Sequence, residues 1–137
     1  MTLSTSVCKR LSGYALGDAA AAGFLALFGA VYESFSHGVY SGWMLYAFAV
    51  PLLLGTVPML VLLRRALAGR QVPCARALMR WHFAVAAWAV GAVMQGVLVI
   101  YGTTNRLIAV YPAAGMLLAI LAFCAQRRSP QSDSSAA

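Results

Sequence analysis

Four apolar runs follow one another along this chain, and each is long enough to cross a bilayer. Their cores are Ala19 to Tyr32, Met44 to Leu63, Phe83 to Tyr101 and Leu107 to Ala125. A helix needs about 20 residues, at ~1.5 Å each, to cross ~30 Å of hydrocarbon. Only 9% of the 137 residues are charged, against about a quarter in a soluble domain. The expectation is an all-α integral membrane protein, a four-helix bundle running up-down-up-down. Its helices are expected at about 14–37, 44–63, 73–101 and 107–125, in one transmembrane domain of residues 1–128. The polar end of the chain, residues 129–137, reads as a disordered tail. A cleaved leader is the rival reading of the first run, but Asp18 interrupts its apolar region and Phe28 fits poorly before a cut after Ala30.

The basic residues predict orientation. Lys9, Arg10, Arg64, Arg65, Arg70, Arg76, Arg80, Arg127 and Arg128 fall on one side of a four-span arrangement, and only Arg106 falls on the other. Lys and Arg mark cytoplasmic loops, so both termini are expected in the cytoplasm, with the chain in the plasma (inner) membrane. The net charge of +7 then forms a surface patch suited to anionic lipid headgroups. No soluble module carries the basic residues, which argues against nucleic acid as a partner. Cys8, Cys74 and Cys124 all map to the cytoplasmic side without a CxxC pair, and read as reduced and structural.

Projected at 100° per residue, the first helix has two faces. Asp18, Ala22, Ala26, Gly29, Glu33 and His37 fall in an arc of about 100°. Phe24, Leu27, Phe28, Val31 and Phe35 lie opposite. In lipid, charged and small residues turn inward, so the Asp18–His37 stripe is expected to face the bundle. The third helix repeats this pattern. Ala84, Ala87, Gly91, Gln95, Leu98 and Gly102 share one face, with Gln95 expected to hydrogen-bond to a neighbouring helix. Pro51, Gly55, Thr56 and Pro58 predict an irregular second helix, and Gly115, Ala119 and Ala122 a close-packed face on the fourth.

The stretch "VYESFSHGVYSGW" places Glu33 and His37 one helical turn apart. Its structural reading is a helix end: Gly38 takes the left-handed position, His37 meets the helix dipole, and Glu33 pairs with His37 or with Arg106 across the external mouth. Its functional reading is a ligand or proton path formed by Glu33, His37, Asp18 and Gln95, with Asp18 about 22 Å from Glu33 along the axis. Asp18 alternatively pairs with a cytoplasmic arginine. A metal site lacks ligands, since the external side offers one acid and one histidine. Haem ligation fails because His37 and His82 map to opposite sides, and no elbow motif frames the serines for hydrolysis. Neither catalytic residues nor cofactors are therefore expected.

In length, number of spans and an acid in helix one, the chain resembles the small multidrug resistance exporters. The resemblance extends to size and hydropathy, not to motif. Those proteins carry the essential glutamate deep in the first helix, whereas Glu33 stands at its end. Their dual-topology members have a weak charge bias, whereas here it is nine to one. Two function classes follow. One is a non-enzymatic protein that packs with itself, as a homodimer, or with a larger membrane complex through its small-residue faces. The other is a small proton-coupled transporter or channel, acting as a dimer.

Overall fold

The computed structural model describes residues 2–127, and the tail expected at 129–137 lies outside the described residues. The described chain is helical, without strands. It contains four segments long and apolar enough to cross a membrane, which makes it a multi-pass membrane protein. The first is α1, Thr2–Phe35. The second is composite: a short α2, Gly42–Leu45, a π-helical stretch Val50–Thr56, and α3, Val57–Leu67. The third is α4, Ala75–Ile100. A 3₁₀ turn, Arg106–Ala109, leads into α5, Val110–Arg127.

α1 begins at Thr2 rather than near Tyr14, because its first turns have a core of their own. Leu11 and Ala15 are buried against Met59 of α3 and Leu78 of α4, with Val7 and Tyr14 at the margin. At ~1.5 Å per residue the helix is about 51 Å long, well beyond ~30 Å of hydrocarbon.

The helices form an open bundle. α1 packs along the second span, the second span packs on α4, and α5 packs on the other side of α4. The α1 and α5 backbones make no contact among the described residues. α4 therefore needs two buried faces. Ala77, Ala84 and Gly91 lie on the face expected from the sequence, and Gly91 receives Tyr111 of α5. Leu78, Val85, Ala89, Ala92 and Gly96 form a second buried face, and Gly96 receives Met44. Met44 is held from the other side by Gly29 of α1. A Cβ at Gly29 would lie 3.0 Å from the Met44 carbonyl oxygen, and one at Gly96 would lie 2.8 Å from its nitrogen. Gly115, Ala119 and Ala122 of α5 are buried, as expected of its small face.

The prolines shape the second span. Pro51 and Pro58 each lack the amide that an α-helix requires at their positions. The chain widens between them into the π-helical stretch, where the Val57 amide donates to the Leu52 carbonyl five residues back. Thr56 Oγ1 lies 3.4 Å from the Pro51 carbonyl, again five residues back. α3 and α4 both end in paired hydrogen bonds around a left-handed glycine. Arg70 N–H reaches Arg65 O and Gly69 N–H reaches Ala66 O; Thr103 N–H reaches Leu98 O and Gly102 N–H reaches Val99 O.

Candidate functional site

Asp18 is the acid whose surroundings depart furthest from expectation. Its Oδ2 lies 3.1 Å from Nδ1 of His82 on α4, and both side chains are mostly buried, at 16% and 14% exposure. This is the one ion pair among the described residues, and it replaces the expected pairing of Asp18 with an arginine. Two further residues complete the site. Tyr14, one turn before Asp18 on α1, stacks on the His82 ring with centroids 4.2 Å apart. Gly55, in the π-helical stretch, supplies the space. A Cβ there would lie 2.6 Å from Asp18 Oδ2, so a larger residue at position 55 would displace the carboxylate. Three spans thus meet at one carboxylate.

Glu33 has a different setting. It is buried, at 8% exposure, and its Oε1 accepts a 3.3 Å hydrogen bond from the Ser41 amide. Ser41 is the residue from which the second span begins, so its N–H is one of the donors a helix leaves unserved at its start. Glu33 therefore ties the end of one span to the start of the next. No ion pair joins it to His37 or Arg106 among the described residues. Arg106 lies exposed in the 3₁₀ turn. His37 falls beyond the end of α1, exposed and itself left-handed at φ 55°, followed by Gly38 at φ 90°. The helix closes two residues sooner than expected because Ser36 caps it: its amide donates to the Glu33 carbonyl at 3.1 Å.

Gln95 is half-buried and makes no hydrogen bond to a neighbouring helix among the described residues. Ala26, expected on the inward stripe, is exposed, and the half-buried Leu25 takes its place. The inward face runs Leu11, Ala15, Asp18, Ala22, Leu25, Gly29 and then Glu33. No hydrogen bond or ion pair joins Glu33, His37, Asp18 and Gln95 to one another among the described residues. Nor do these residues line the three cavities described. A cavity of about 400 Å³ is bounded by Phe28, Tyr32, Phe35 and Tyr101. One of about 170 Å³ lies among Met59, Leu78, Trp81 and Phe123. The third, about 450 Å³, lies beside Trp43 and Tyr46. Asp18 and His82 offer two metal donors, one short of the three protein ligands of a catalytic zinc site.

Sequence reasoning did not bring His82 or Gly55 to Asp18. The signal for His82 was present: an acid and a histidine in neighbouring apolar spans each avoid lipid best by meeting. Two more residues escaped notice. Gly13 and Gly17 lie exposed on α1 with open space around them, and Ala21, four residues on, is also exposed.

No family model, curated protein or solved structure matches this chain.

Proposed function

We propose that this protein is a non-enzymatic membrane protein that works by helix packing, first with a second copy of itself. The observation that carries this reading is the use made of the acids in α1. Asp18 is taken up by His82 and Gly55, and Glu33 by the Ser41 amide, so each serves the fold of its own chain. The inward small residues are also occupied, Gly29 and Gly96 by Met44 and Gly91 by Tyr111. Association through those faces is thereby replaced by association through the outer face of α1. Gly13, Gly17 and Ala21 recur there every four residues, the spacing that lets two membrane helices approach closely.

In this reading the four spans run up-down-up-down, with both termini and the arginine-rich end at the cytoplasmic face of the plasma (inner) membrane. The nine-to-one distribution of basic residues supports that orientation. Anionic headgroups are the lipid partners suited to that end.

The test is the mass of the purified chain in mild detergent, alongside the Gly13→Ile/Gly17→Ile variant. The expected result is a wild-type particle of two or more chains and a folded, monomeric variant. A monomeric wild type, or a variant that associates equally well, contradicts the reading.

A further inference from the structure

The Asp18–His82 pair has a property that packing alone does not require. Both partners are bases that each bind one proton, and they share a site sunk between α1, the second span and α4. With no proton bound, the pair carries one negative charge. With one proton it is neutral, whether that proton resides on the ring or on the carboxyl. With two it carries one positive charge. An uncompensated charge is costly in such surroundings, and neither partner has help nearby. His82 Nε2 is buried without a hydrogen-bond partner, and Asp18 Oδ2 has none beyond its contact with His82. Tyr14 is the titratable neighbour contributed by α1, packed as a stacked ring. Gly55 and Thr56 of the second span contribute no charge. Arg80, two residues before His82, directs its guanidinium to the Leu121 carbonyl of α5 at 3.1 Å.

We propose that Asp18 and His82 form a buried one-proton site that controls the docking of α1. The proton comes from water and is returned to it; no other bond is made or broken. Filled with one proton, the site is neutral and α1 seats its carboxylate in the Gly55 notch. Empty or doubly filled, it is charged, and α1 loosens from α4. The α1 and α4 backbones do not approach each other closely; beside the packing of Leu11 and Ala15 on Leu78, this side-chain contact is what joins them. The inference is independent of self-association.

The experiment follows the thermal midpoint of the full chain in lipid nanodiscs from about pH 4 to about pH 9. The wild type should be most stable at intermediate pH and weaken at both ends. Asp18→Asn leaves only the ring to charge, so its stability is present at high pH and lost as pH falls. His82→Gln leaves only the carboxyl, so its stability is present at low pH and lost as pH rises. The two single variants therefore have opposite slopes, and Asp18→Asn/His82→Gln is flat. Slopes of the same sign, or a double variant that keeps the wild-type profile, would overturn the proposal. Should a single variant not fold, ¹⁵N spectra of the His82 ring decide, in a His37→Gln background that leaves one histidine signal. Ring protonation that tracks the change in midpoint supports the site, and protonation without such a change overturns it.

Discussion

The indole of Trp81 donates a 2.8 Å hydrogen bond to the carbonyl of Leu54. In a regular α-helix that carbonyl would be served by the amide of residue 58, but residue 58 is proline. A tryptophan on α4 thus supplies a donor that the second span lacks. One heptad on, Trp88 bonds to α5, donating to the Pro112 carbonyl at 3.2 Å. The two indoles meet edge to face with centroids 6.2 Å apart, so one aromatic pair secures both neighbours of α4.

Trp81→Phe retains most of the ring but removes that donor. It should cost about 1 kcal/mol of folding stability in detergent, the usual scale for one such bond between membrane helices. Restoring an amide with Pro58→Ala should reduce the loss. An equal loss in both backgrounds would mean that the indole does not serve the carbonyl freed by proline.

Gly55→Ala places a methyl group where the Asp18 carboxylate lies. Overfilling at a tight contact costs on the order of 1–3 kcal/mol. Shortening the acid with Asp18→Ala should recover part of that cost, a coupling visible in a double-mutant cycle of unfolding measurements. Strictly additive effects would separate Gly55 from Asp18.

Bulk on α1 separates its faces. Gly29→Trp should prevent folding, because Gly29 abuts Met44. Leu27→Trp and Ala26→Trp should be tolerated, since both positions are exposed. Monodispersity of the purified variants is the measurement, and failure of Ala26→Trp would return that residue to the inward face.

Much of this fold was legible in the sequence, for physical reasons. Hydrocarbon thickness sets span length, so four apolar runs specify four helices. The outward phenylalanines of α1 and the buried Gly115, Ala119 and Ala122 of α5 followed from helical periodicity. The second buried face of α4 did not, because alanine and valine suit lipid and protein equally and only Gly96 marks a contact. The partners of the acids were also hidden. Glu33 bonds to the Ser41 backbone, and any residue but proline supplies an amide. Asp18 meets His82 across 64 positions of chain, a pairing fixed by how α1 lies on the second span.

Glu33→Gln should cost about 1 kcal/mol, because an amide oxygen still accepts from Ser41 N–H but without charge assistance. The loss should be the same in an Arg106→Gln background, since no ion pair joins Glu33 to Arg106 among the described residues. A coupling between the two positions in equilibrium unfolding would restore the pairing across that end.

The orientation proposed from the basic residues is open to cysteine labelling. Cysteines introduced at Ser36 and Thr103 should react with an impermeant reagent from outside, and one at Gln71 only after the membrane is opened. External labelling of the Gln71 position would reverse the topology.

Proton flux into proteoliposomes is the most direct test of whether the membrane acids serve the fold rather than transport. Purified wild-type chain, reconstituted under a pH gradient, should carry no more flux than empty vesicles, and Glu33→Gln and Gln95→Ala should leave that baseline unchanged. Flux above the baseline that either substitution abolishes would show a conduction path through these residues, and would contradict a structural role for Glu33.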